Sequence, residues 1–205
     1  MRKEILTDNQ RKLLPLLKDF SKDYVLVGGT AIALYLGHRR SIDFDLFTSQ
    51  KIKRKSIKNY LVDNKYPVDQ LIYEEEDQIH FIVNGIKITF FRYPFRIEGT
   101  TDFDGIIGIP ELSVLAAMKA YALGGRGKWK DYVDLYFLMR HGFPLKSIIE
   151  KADGLFGATF NGKLFKEQLT YFEDINYEEE VIYLDKPIEK EEIKRFLTEA
   201  ATEEF

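Results

Sequence analysis

The residues best placed to do chemistry stand in one stretch, VLVGGTAIALYLGHRRSIDFDLFT, residues 25–48. Within it, Ile42–Phe47 alternates apolar and polar side chains strictly, which predicts a strand. Residues two apart on a strand point the same way. Asp43 and Asp45 should then project from one face while Ile42, Phe44 and Leu46 fill the other. Paired carboxylates repel, and a fold keeps such a pair mainly where a cation bridges them. Their hard oxygens suit Mg²⁺ or Mn²⁺. Twelve residues upstream of that pair, Gly28-Gly29-Thr30 closes a short buried strand at Tyr24–Val27 and opens a helix over Thr30–Leu36. The glycines let backbone approach a ligand closely, and the helix start offers unpaired N–H groups to phosphate. Thr30 adds a hydroxyl there. A phosphate turn and a carboxylate pair in one strand–helix–strand unit are the parts phosphoryl transfer requires. Either feature alone also has a plain structural reading, as a solvated strand edge or a simple turn. Between them, Arg39 or Arg40 could reach a phosphate or pair with Asp43, or His38, Arg39 and Arg40 could form a solvated connector.

A second set lies further along. Lys119 sits within LAAMKAYAL, an apolar helix where a lone charge is costly and needs a partner. Triphosphate would serve, and so would Asp131, Asp134 or the carboxylates of the first set. Asp131 and Asp134 are i,i+3 neighbours on one helix face, and Arg126 and Lys130 add cations near the helix junction. An internal salt-bridge network linking Lys119 to those carboxylates is the structural alternative.

The elements that must position these groups divide the chain. A helix is expected over residues 8–20, capped by Thr7 or Asp8 and weakened by Pro15. Lys51–Asn64 reads as an exposed basic helix. Its run of Lys51, Lys53, Arg54, Lys55 and Lys58 could meet an RNA backbone through phosphate contacts or be the wet face of a helix. Strands are expected at Val68–Tyr73, Gln78–Val83 and Ile86–Arg92, the last two joined by an Asn84-Gly85 hairpin turn. A loop begins at Pro94 and Gly99. Helices then follow at Glu111–Leu123, Trp129–Arg140, from Pro144, at Lys163–Phe172 and at Glu189–Ala200. An α/β core over residues 1–105 and a helical region over residues 106–205 that completes the active site are expected.

Composition narrows the function classes. With 45% apolar residues and no cysteine, the chain can build a core, and disulfides, thiol catalysis and Cys-based zinc sites are excluded. No apolar stretch approaches the roughly 20 residues that span a bilayer, and the polar start, MRKEILTDNQRK, lacks a signal-peptide apolar region. A cytoplasmic protein with no membrane contact is the simplest expectation. The net charge of −3 hides an asymmetry: residues 166–205 carry 5 basic and 13 acidic side chains, leaving the remainder basic. A basic body is compatible with a polyanionic substrate.

The wording GGTAIALYLGHRRSIDFDLF resembles the AbiEii/AbiGii-type nucleotidyltransferases of the polymerase-beta-like superfamily, and LAAMKAYAL followed by GRGKWKDYVDLYFLM continues the likeness over roughly residues 24–140. The resemblance implies an α+β fold, with a nucleotidyltransferase-like mixed sheet, flanking helices and a helical C-terminal half. It implies transfer of a nucleoside monophosphate from an NTP to an acceptor hydroxyl, with Asp43 and Asp45 holding Mg²⁺ or Mn²⁺. Gly28, Gly29, Thr30, Arg39, Lys119, Arg126 and Lys130 would contact the nucleotide, and Asp131 or Asp134 would deprotonate or orient the acceptor. RNA, including a tRNA end, is the acceptor it suggests, and a toxin role with a cognate antitoxin protein. One departure stands out. Many superfamily members carry a third acid on a neighbouring strand, and Thr89 of IKITFFRY occupies the expected position. Asp102 and Asp104 are weaker substitutes. A degenerate nucleotide-binding module and a small-molecule nucleotidyltransferase of the antibiotic-modifying kind are the rival readings.

Overall fold

The computed structural model describes residues 1–203. The chain packs as two compact units. The first is built from Lys3–Ala31 and Ser41–Glu111; the second takes Ile32–Arg40 and the chain from Leu112 onward. The segment 32–40 therefore packs with the C-terminal unit, although it lies between two stretches of the N-terminal one.

The first unit opens with α1 (Asp8–Lys12) and α2 (Leu14–Phe20). The single helix expected over residues 8–20 is thus two helices broken at Leu13. The break places Pro15 in the first turn of α2, where its missing N–H costs no helical bond. Thr7 caps α1 in a reciprocal capping box with Gln10. Next come β1 (Val25–Val27), α3 (Gly28–Leu36), β2 (Phe44–Thr48), α4 (Arg54–Asp63), β3 (Val68–Glu75), β4 (Gln78–Val83) and β5 (Ile86–Arg92).

The five strands form one mixed sheet in the order β1-β2-β5-β4-β3. β2 and β5 run parallel; the remaining pairs are antiparallel. Asn84 and Gly85 both adopt positive φ, as the two-residue turn between β4 and β5 demands. One sheet face is dry: Phe44, Leu46, Ile79, Phe81, Ile88 and Phe90 are all buried. Phe20 and Tyr24 stack edge-on against Phe90, and Phe20 does the same against Tyr60 of α4. β2 begins two residues later than expected, so Asp43 lies just before it and Ile42 is 48% exposed rather than in the core.

A short hairpin, β6 (Thr101–Phe103) and β7 (Ile107–Ile109), replaces part of the expected loop. Asp104 and Gly105 at its turn both have positive φ, so the Asp-Gly pair was a usable hairpin signal.

The second unit is helical: α5 (Leu112–Leu123), α6 (Trp129–Arg140), α7 (Leu145–Phe156), α8 (Gly162–Gln168) and α9 (Lys190–Thr202). α5 is apolar nearly all round, and eight of its residues are buried, Lys119 among them. Residues 38–40 are pinned by backbone bonds: Arg40 N–H donates to Ile182 O (2.8 Å) and Leu184 N–H to His38 O (3.3 Å). No helix among the described residues is long and apolar enough to cross a membrane.

Candidate active site

In the first unit the sheet face opposite the core carries the candidate metal site. Burial alternates from Asp43 to Thr48: Phe44, Leu46 and Thr48 are buried, while Asp43, Asp45 and Phe47 are half-buried. The alternation runs through Asp43 even though regular strand pairing starts at Phe44.

Gly28 is the first residue of α3 and has φ +74°. A Cβ built on it would land on Asp45 Oδ2. Only glycine permits both that backbone and that approach, so the helix N-terminus and the Asp45 carboxylate are neighbours by construction. Thr30 is 1% exposed. Its hydroxyl donates to the carbonyls of Asp43 and Ser41, so it ties α3 to the segment carrying Asp43 instead of standing open to a ligand. Gln10 Nε2 also donates to Ser41 O (2.8 Å), anchoring that segment from α1.

Asp43 Oδ2 stands 3.2 Å from Lys87 Nζ on β5, with about a third of each side chain exposed. Asp45 is aligned with Val27 on one neighbouring strand and Thr89 on the other. Thr89 thus occupies the place beside the carboxylate pair where a third acid would stand, and it is 7% exposed. Asp102 accepts from Gly105 N–H (2.8 Å), and Asp104 pairs with Lys3, so both are taken up locally.

Two carboxylates and no imidazole or thiolate make a hard donor set. Among the described residues no group of three His, Cys, Asp or Glu side chains gathers that could hold a metal ion. Mg²⁺ fits such a site, because it is commonly held by one or two carboxylates, completing its shell with water and substrate phosphate.

The second unit holds a sealed ion network. Asp134, with no exposed surface, accepts Nε–H and Nη2–H of Arg39 at 2.7 and 2.8 Å, and His38 Nε2 lies 2.8 Å from its Oδ1. Lys119 Nζ lies 2.9 Å from Asp134 Oδ2 and 2.7 Å from Asp131 Oδ1. Arg126, half exposed, reaches Asp131 Oδ2 at 3.1 Å.

Burial by itself would raise the Asp134 carboxyl; Arg39, Lys119 and the hydrogen bonds from His38 and Arg39 outweigh it and hold the group well below its usual range. Burial would strip the proton from Lys119, and Asp131 and Asp134 reverse that, keeping it an ammonium. Burial lowers His38, only partly offset by Asp134, so its ring is neutral at pH 7.

The internal salt bridge is therefore the arrangement found for Lys119. A carboxylate as strongly held as Asp134 has little basicity left for an acceptor proton. Arg39 is 2% exposed and spent on Asp134. Lys130, the remaining cation, lies 3.3 Å from Glu179. In the basic run, Lys58 and Arg54 meet Glu74 and Lys51 meets Glu76.

The sequence reading gave no role to Lys87, and it missed His80. Lys87 neutralises Asp43, and His80 sits opposite Thr89 on the site face of the sheet. Alternation in QIHFIV together with the Asn84-Gly85 turn could have placed His80, by counting outward from the turn.

Comparison with known proteins bears on the family and the fold. The model of the AbiEii nucleotidyl transferase toxin family, of a type IV toxin–antitoxin system, matches residues 16–103. An uncharacterized Aquifex aeolicus protein, aq_aa25, is 34% identical over 182 residues, 85% of this chain and 84% of its own. A Helicobacter pylori protein assigned as a nucleotidyltransferase shares the fold at TM-score 0.62 and 17% identity, over 95% of this chain and 92% of that one. MenT4, a nucleotidyltransferase toxin of Mycobacterium tuberculosis, superposes with TM-score 0.61 at 12% identity, over 95% and 82%.

Proposed function

The chain belongs to the AbiEii nucleotidyltransferase toxin family, and we propose that it transfers a nucleoside monophosphate from an NTP to an acceptor hydroxyl on RNA. The observation that carries this reading is the Asp45 carboxylate seated against Gly28 at the start of α3, with Asp43 one alternation earlier. Asp43 and Asp45 would hold Mg²⁺. When bound, that ion would neutralise charge on the phosphates and on the leaving pyrophosphate.

The first-turn N–H groups of α3, at Gly28 and Gly29, would take phosphate oxygens, which the helix dipole favours. Thr30 would act from behind, fixing the helix start to the backbone of Asp43. Lys87 would hold Asp43 in place and limit repulsion within the pair before nucleotide binds. Lys119, 5% exposed and met by Asp131 and Asp134, would keep its internal role within the second unit. Arg126, half exposed, would be the cation with the freest access to a polyanion. In this reading Asp131 and Asp134 orient Lys119 and do not accept the acceptor's proton. The family places the activity in a toxin, whose neutralising partner would be a cognate antitoxin.

A silent nucleotide-binding module is the second reading, favoured by Thr89 where a third acid would stand. Purified protein incubated with each labelled NTP, Mg²⁺ and total RNA, beside Asp43→Ala and Asp45→Ala, separates the two. Label on RNA from the wild type alone supports transfer through this site. Mg²⁺-dependent NTP binding with no labelled RNA, and none on small-molecule acceptors, supports the silent module.

A further inference from the structure

Three neighbouring strands place Asp45, Thr89 and His80 in one row across the sheet: Asp45 is aligned with Thr89, and Thr89 with His80. Cross-strand partners share a face, with Cβ atoms about 4.5–5.5 Å apart in a directly opposed antiparallel pair. The row lies on the face opposite the core, since Ile79, Phe81, Ile88 and Phe90 are the buried alternates. Thr89 is short, so the imidazole on its far side borders the space next to the carboxylate pair.

The ring of His80 is held. Its Nε2 lies 3.1 Å from Gln78 Oε1. That side-chain carbonyl oxygen can only accept a hydrogen bond. Nε2 then carries the hydrogen, and Nδ1 keeps its lone pair. The Tyr73 ring packs beside the imidazole at 5.5 Å.

We propose that His80 is the general base of the transfer reaction, taking through Nδ1 the proton of the acceptor hydroxyl in place of the acid that Thr89 lacks. This rests on the nucleotidyltransferase reading of the same face. The acceptor O–H bond breaks as its oxygen bonds to the α-phosphorus. The bond from that phosphorus to the β-phosphate oxygen breaks, and pyrophosphate leaves with the electron pair. The proton passes to Nδ1 and afterwards to water. The charged and titratable groups around the imidazole are Lys87 on β5, Tyr73 and Glu75 on β3, and Asp43 and Asp45 beyond Thr89. Burial, and then the Lys87 charge, lower the imidazole's proton affinity, so it is neutral and ready to accept at pH 7.

The test is the pH dependence of label transfer from each NTP to total RNA by the full chain, wild type against His80→Ala, with and without added imidazole. Mg²⁺-dependent NTP binding is measured alongside as the check on folding. The wild-type rate should fall on the acidic side with a midpoint below the ordinary histidine value. His80→Ala should lose about 10²–10⁴-fold in rate, lose that acidic limb and recover part of the rate with imidazole, while NTP binding is kept. A variant that retains the rate within about threefold, or binds NTP normally but gains nothing from imidazole, overturns the role of His80 alone. A wild type that binds NTP and transfers to no acceptor overturns the transferase reading, and the base with it. If His80→Ala binds no NTP, His80→Gln is substituted, and a normal acidic limb there overturns the proposal.

Discussion

Replacing Asp134 with alanine should be among the most damaging single changes in the second unit. The network holds two cations, Arg39 and Lys119, against two carboxylates, Asp131 and Asp134, all at most 5% exposed, with a neutral His38 beside them. Deleting Asp134 removes both guanidinium bonds, one ammonium contact and the His38 partner at once. Lys119 keeps Asp131, so the loss falls on Arg39, a buried guanidinium left without a carboxylate. Breaking one side of a buried ion pair costs about 3–5 kcal/mol. For a chain of this length each kcal/mol lowers the melting temperature by about 2–4 °C, giving a drop of roughly 6–20 °C. Asp131→Ala should cost less, because Lys119 keeps Asp134 and Arg126 is half solvated. Calorimetry on the wild type and both variants at pH 7 checks the order. An Asp134→Ala loss below about 1 kcal/mol, or a larger loss for Asp131→Ala, would refute the idea that this network is sealed around Asp134.

Gly28→Ala should lower stability by only about 1–2 kcal/mol for its positive φ, yet it should abolish Mg²⁺-dependent NTP binding. The new methyl displaces Asp45 Oδ2; unchanged binding by titration calorimetry would show that the carboxylate is not needed where it sits. Thr89→Asp adds a nearly buried carboxylate beside Asp45. It should destabilise the metal-free protein by about 1–3 kcal/mol and make its melting temperature more responsive to Mg²⁺ than the wild type's, and an equal response would place Thr89 outside any metal site. His38 and His80 both have folded proton affinities below the ordinary value near 6.5. Their contribution to stability is therefore full above that value and is lost as pH falls from it towards the folded values. Urea midpoints between pH 8 and 5 should decline, and His38→Gln should flatten part of the slope. An unchanged slope would mean that His38 titrates alike in both states.

Local pattern determined much of this protein. Alternation set the faces of β2, β4 and β5, the Asn84-Gly85 turn fixed the β4–β5 register, and the combination of Gly28-Gly29 with Asp43 and Asp45 marked the candidate site. Counting out from that turn even aligns His80 with Thr89, because a hairpin's register is a local quantity. The Asp104-Gly105 hairpin was legible in the same way, although strands of three residues leave too little periodicity to announce themselves. Other features depended on chain segments distant in sequence. The parallel alignment of Asp45 with Thr89 joins strands about forty residues apart, and no turn fixes it. The pairing of Arg39 with Asp134 spans 95 residues. Sequence offered Lys119 a choice between phosphate and carboxylate partners, since either satisfies a buried ammonium. Only packing decided that His38 and Arg39, read in sequence as a connector, close on Asp134 of α6, because a buried charge is settled by whichever opposite charge the fold brings within reach.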